Sequence, residues 1–160
     1  MQFAETERER IAVAFHEAGH AVAGALSGAR IVCCVLTDDP AAPGRTEYAE
    51  LPEHAETGGN LRRPFAEARH SPALADIGAA LSGTCDGDEL AELGGGLARD
   101  IEPLLSAAWP AVRALAADLF RDGHAGHGDV LRALGATSDD DLPIIRSLIK
   151  AKVWTPPTAA

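Results

Sequence analysis

Positive charge is scarce in this chain. Its 14 lysine and arginine residues stand against 24 aspartate and glutamate residues, which gives a formal net charge of -10. Such an acidic chain repels the phosphate backbone of a nucleic acid and offers no basic patch to an anionic membrane surface. We therefore expect neither a nucleic acid nor a membrane among its partners.

A long uninterrupted apolar run is also missing. The most apolar stretch, residues 11–36, contains His16, Glu17, His20 and Arg30. A transmembrane helix there would place ionisable groups in lipid, which is costly. The first ten residues carry charges of both signs and lack the basic start and apolar core of a signal peptide.

Cysteine is too rare for a disulfide framework. The chain has three cysteines, Cys33, Cys34 and Cys85, and two of them are adjacent. An odd number with this spacing is a poor basis for secreted disulfides. We expect a cytoplasmic protein in a reducing compartment.

The first third of the chain predicts a helix followed by a hairpin. Apolar and small residues recur at helical spacing over 7–27, and Gly28 stands where a C-terminal cap is expected. This helix is predicted to bury one face and to expose its histidines on the other. Residues 31–37 and 45–51 predict two strands, and residues 52–64 predict a loop.

The rest of the chain predicts helices and no second domain. With 160 residues, the chain has the length of one domain. We expect a mainly α fold with a small β-hairpin or sheet (α+β), a single domain over residues 1–154 and a flexible tail over 155–160. The remaining helices are predicted at 71–82, 88–97, 99–120, 128–134 and 142–153.

One motif carries chemistry: the run His16-Glu17-Ala18-Gly19-His20 inside the first helix. Histidines at positions i and i+4 project from one helical face about 6 Å apart, so both imidazoles can bind one zinc ion. Glu17 is rotated from His16 by about 100° and can reach a zinc-bound water without binding the metal. The pattern indicates one hydrolytic zinc site per chain.

The chemistry of such a site is peptide hydrolysis. Zinc with three protein ligands lowers the pKa of its water toward about 7. Glu17 can take the water proton during attack on a carbonyl and pass it to the departing amine. The sequence thus predicts a zinc metallopeptidase, a hydrolase acting on peptides or unfolded proteins.

The run ERIAVAFHEAGHAV, residues 9–22, resembles the start of the peptidase domain of FtsH-type ATP-dependent zinc metalloproteases. The resemblance continues through the strand, the turn with Gly44, the second strand and the helical remainder. It implies a zincin-like helical peptidase domain with the metal-binding motif on the first long helix. No Gly-Lys-Ser/Thr phosphate loop occurs in the chain, so we expect an ATP-independent, stand-alone version of that domain.

The resemblance also implies a third zinc ligand. In the family this ligand is an aspartate on a later helix, and Asp88 is its counterpart here. The register leaves Glu89, Asp86, Glu92 and Cys85 as alternatives.

Two other interpretations compete with an enzyme. A non-catalytic helical binding or regulatory module would keep zinc as a structural feature, with four protein ligands and no open position. Cys85 would supply the fourth ligand in that case. A helical domain without metal would leave the motif as a pair of ordinary helix histidines. Outside the motif, His124 and His127 lie among glycines and predict solvated loop residues.

Overall fold

A computed structural model describes residues 5–39, 42–50 and 101–157. These residues are mostly helical and include a small antiparallel sheet of three strands, in agreement with the expected α+β class. Along the chain the elements are α1 (Glu5–Leu26), β1 (Arg30–Leu36), β2 (Gly44–Glu50), α2 (Ile101–Ala107), α3 (Trp109–Asp122), β3 (His124–Ala125), α4 (His127–Leu134), a 3-10 helix (Asp139–Asp141) and α5 (Leu142–Lys150).

Helix α1 begins and ends close to its predicted bounds. Its C-terminal end is a tight turn: the N–H of Gly28 donates to Ala25 O at 2.9 Å, and that of Ala29 donates to Gly24 O at 2.9 Å. Gly28 adopts a φ of 91°, a conformation that glycine reaches without steric cost. The turn sends the chain directly into β1.

The predicted exposure of the histidine face of α1 is wrong. His16 is only 9% exposed and Glu17 only 6%. Helix α3 packs against one side of α1, and β1 and β2 pack against another. The approach is close because alanine and glycine dominate the buried positions of the helix, namely Ala12, Ala14, Ala18, Gly19, Ala21, Ala23, Gly24 and Ala25.

The predicted hairpin is present, with β1 and β2 paired antiparallel. Cys34 pairs with Thr46 and Leu36 with Gly44, while register shifts occur between Arg30 and Cys33. Strand β3 adds two residues on the other side of β1, giving the order β2-β1-β3. Its residues lie in the segment around His124 that was predicted to be a loop.

The helix predicted over 99–120 is two helices. Helix α2 ends at Ala107 and α3 begins at Trp109, with Pro110 in the first turn of α3. Proline has no N–H to donate and its ring excludes a continuous helix across this point. The last helix, α5, ends at Lys150 rather than at 153.

The core lies between α1 and α3. An apolar stripe runs along α3, in which Val112, Leu115 and Leu119 are fully buried. Phe15 of α1 stacks on Trp109 of α3 with ring centroids 5.5 Å apart. None of the helices within 5–39, 42–50 and 101–157 has the length and apolar content needed to cross a membrane.

His127 is not the solvated loop residue that the sequence predicted. It opens α4, and its side chain is 11% exposed. The backbone N–H of Ile31 donates to His127 Nδ1 at 3.3 Å, and His127 Nε2 bonds to Asp139 Oδ1. Arg30 reaches the other oxygen of Asp139 at 3.3 Å. The imidazole thus joins β1, α4 and the 3-10 helix, whereas His124 is exposed as expected.

Candidate active site

His16 and His20 lie one turn apart on α1 and their rings converge. The two Nε2 atoms are 3.1 Å apart, the ring centroids are 4.6 Å apart, and the ring planes are inclined by 85°. Two bare nitrogen lone pairs at this distance repel each other. The pair therefore needs a proton or a metal ion between its nitrogens.

The nitrogen pair fits a tetrahedral zinc site. Two Zn–N bonds of about 2.05 Å at the tetrahedral angle place their nitrogens about 3.3 Å apart. The 3.1 Å separation of the two Nε2 atoms is close to that value. His16 and His20 can therefore share one zinc ion with only a small adjustment.

Glu17 follows His16 and turns toward the sheet. Thr46 Oγ1 on β2 donates a hydrogen bond to Glu17 Oε2 at 2.7 Å and also lies 3.2 Å from the main-chain oxygen of Glu17. One carboxylate oxygen is thus held from the strand. Glu17 is the next residue after His16 on α1, and its carboxylate is turned toward β2.

Gly44 leaves room for this carboxylate. A Cβ at position 44 would lie 2.9 Å from Glu17 Cγ, 3.1 Å from Glu17 Oε1 and 2.5 Å from Val13 Cγ1. Any side chain at this position would displace Glu17 or Val13. Glu17 can occupy its position only because residue 44 of β2 has no side chain.

Tyr48 completes the contact between β2 and α1. Its phenol O–H donates to the main-chain oxygen of His20 at 3.0 Å. Gly44, Thr46 and Tyr48 occupy alternate positions of β2 and so share the face that covers α1. Sequence analysis missed these residues, although their period-two spacing after the metal-binding helix was the signal that could have identified them.

The Cys34 thiol lies behind Thr46. Cys34 is fully buried, and its Sγ is 3.4 Å from Thr46 Oγ1. Burial, together with the Glu17 charge, raises the pKa of the Cys34 thiol to about 12. The thiol is therefore protonated at neutral pH and is a poor zinc ligand or nucleophile.

The predicted third ligand, Asp88, lies outside the described residues. The same holds for its alternatives Asp86, Glu89, Glu92 and Cys85. Within the described part of the chain, no group of three histidine, cysteine, aspartate or glutamate residues is arranged to hold a metal. Comparison with family models, curated proteins and solved structures gives no match.

Proposed function

We propose that the protein is a zinc-dependent metallopeptidase that hydrolyses peptide bonds, with His16 and His20 as zinc ligands and Glu17 as general base and acid. The observation that carries the proposal is the convergence of the His16 and His20 Nε2 atoms at 3.1 Å, with the buried Glu17 next to His16 on the same helix. The three residue types and their mutual positions suit metal-assisted hydrolysis.

Glu17 moves the protons in this reaction. His16 and His20 would hold the zinc, which would supply a water molecule whose pKa is lowered from about 15.7 toward about 7 and would polarise the substrate carbonyl. Glu17 accepts the proton of the attacking water on one carboxylate oxygen. It then gives that proton to the departing amine, so one side chain acts first as base and then as acid.

The remaining parts of the proposal rest on the sequence. Asp88 is the proposed third ligand, and the proposed fold type is that of FtsH-type peptidase domains. The proposed substrates are peptides or unfolded segments of proteins. The proposed location is the cytoplasm.

Metal content tests the site. We expect about one zinc per chain in the wild-type protein and loss of zinc in His16→Ala, His20→Ala and Asp88→Ala. His124→Ala, which changes an exposed histidine, is the matched control and should retain the metal. Zinc retained by Asp88→Ala would show that a neighbouring residue is the third ligand. Absence of zinc binding by wild type, even after zinc is added, would contradict the proposal.

Hydrolysis tests the role of Glu17. Glu17→Gln should bind zinc as wild type does and lose cleavage of a fluorescently labelled unfolded protein such as reduced casein. Glu47→Gln changes a glutamate that lies on the same strand as Thr46 and pairs with Arg45, and it should cleave normally. Undiminished cleavage by Glu17→Gln would contradict the mechanism. Zinc held by four protein ligands, seen by X-ray absorption, would instead favour a structural site.

A further inference from the structure

We propose that Thr46 is a positioning residue that fixes the Glu17 carboxylate for proton transfer by occupying one of its two oxygens. This inference rests on the proposed function, because it assigns Thr46 a part in that reaction. Thr46 touches neither substrate nor metal in this scheme and acts through Glu17.

The distances show which acceptor Thr46 uses. Its hydroxyl has one proton to donate, and Glu17 presents Oε2 at 2.7 Å and its main-chain oxygen at 3.2 Å. The main-chain oxygen of a residue inside a helix already accepts the helical N–H four residues on. A bond to an ionised carboxylate is also shorter and stronger than one to a neutral carbonyl. The proton therefore points to Oε2.

The contact with Cys34 is compatible with this direction. A hydroxyl that donates its proton still accepts through its lone pairs, and Cys34 Sγ lies 3.4 Å from Thr46 Oγ1. The buried thiol keeps its proton at neutral pH, and because the Thr46 proton is donated to Glu17, the thiol is the donor in this pair. Donor and acceptor roles therefore run in one order, from Cys34 to Thr46 to Glu17.

The two carboxylate oxygens of Glu17 therefore have different roles. Thr46 holds Oε2, so Oε1, which lies over Gly44, is the oxygen that exchanges the reaction proton. A carboxylate held at one oxygen has fewer rotamers to sample before the reaction. Loss of a group that orients a reacting side chain in a metal site typically lowers activity about 10–100-fold.

The experiment compares Thr46→Val, which removes the hydroxyl at nearly constant shape, with Thr46→Ser, which keeps it. Thr37→Val is the matched control, because Thr37 Oγ1 bonds to Ala42 O elsewhere in the same hairpin. Three-bond couplings between Glu17 Cγ and its backbone nitrogen and carbonyl carbon report the χ1 rotamer in the zinc-free protein. kcat, KM and zinc content are measured on the zinc-loaded protein with reduced casein.

In Thr46→Val we expect the Glu17 couplings to take values averaged over several χ1 rotamers. We also expect kcat to fall about 10–100-fold, with KM and zinc content near wild type. Thr46→Ser and Thr37→Val should keep both the couplings and kcat. If Thr46→Val does not fold, Thr46→Ala, which leaves room for a water, takes its place in the same measurements.

Two results would overturn the inference. Unchanged couplings in Thr46→Val would mean that packing against Val13 and Gly44 holds Glu17 without the hydroxyl. Averaged couplings with an unchanged kcat would mean that the hydrogen bond has no part in the reaction. A wild-type protein with fixed couplings and bound zinc but no hydrolysis would overturn the proposed function itself.

Discussion

The ring of Tyr48 occupies the space that a side chain at position 24 would need. A Cβ on Gly24 would lie 2.4 Å from Tyr48 Cε1, and the same tyrosine bonds through its hydroxyl to the main-chain oxygen of His20. Gly24 and His20 are one turn apart on α1. Tyr48 therefore sets how closely β2 approaches the helix that carries the histidine pair.

Gly24→Ala should destabilise the protein. Alanine normally improves a helix interior by about 0.5–1 kcal/mol relative to glycine, but here the added methyl must push the Tyr48 ring aside, which costs about 1–3 kcal/mol. Urea unfolding should show a lower midpoint. The control is Gly128→Ala in α4, where a Cβ meets nothing within 4 Å and stability should hold or rise. Equal midpoints for Gly24→Ala and wild type would contradict the contact.

Tyr48→Phe should lower stability by about 0.5–1.5 kcal/mol, the usual net contribution of one hydrogen bond. The phenyl ring stays against Gly24, so no cavity opens and the loss reports the phenol hydroxyl, which bonds to His20 O. Denaturant unfolding of the pure variant measures it. A free energy of unfolding equal to that of wild type would show that this bond contributes nothing net.

Leu119→Ala should cost about 2–5 kcal/mol, because Leu119 is fully buried in the α1–α3 core and alanine leaves a cavity there. Leu148→Ala on α5 removes the same atoms from a side chain that is 40% exposed. Its effect should stay within about 0.5 kcal/mol. Thermal and urea unfolding of the two variants should separate clearly, and similar losses would be inconsistent with this core.

Asp129 should stabilise the fold at neutral pH and lose this effect in acid. The Gly126 N–H at 2.8 Å and Arg132 hold the pKa of its carboxyl below the ordinary value. A carboxyl with a lowered pKa in the folded state stabilises above its unfolded pKa of about 3.9, and the effect disappears as pH falls through the folded pKa.

The measurement compares Asp129→Asn with wild type by urea unfolding at several pH values. The difference in unfolding free energy should be largest near neutral pH and should shrink in acid, below about pH 4. Asp140→Asn, at an exposed position of the 3-10 helix, makes the same change of charge as a control. A difference for Asp129→Asn that is independent of pH would refute the assignment.

Local pattern was enough to predict the elements that carry the candidate site. The spacing of residues along 7–27 predicted α1, and a run rich in β-branched residues followed by a turn predicted the hairpin. The convergence of His16 and His20 also follows from helical geometry alone, since positions i and i+4 share a face.

What surrounds α1 could not be predicted in the same way. Burial of the His16 face depends on β2 lying over it. Contact between elements that are distant in the chain leaves no local signal in the sequence. Strand β3 has two residues, too few for any periodicity. The break before Trp109 did have a signal in Pro110, which the prediction of one helix over 99–120 did not use.

The hydrogen bonds of His127 make it possible to follow the contact between α4 and β1 by amide exchange. Because Ile31 N–H donates to Nδ1, the ring carries its hydrogen on Nε2, facing Asp139. The Ile31 amide can exchange with solvent only when α4 moves away from β1. A single exchange rate thus records whether positions 96 residues apart in the chain are together, and reading it requires neither metal nor substrate.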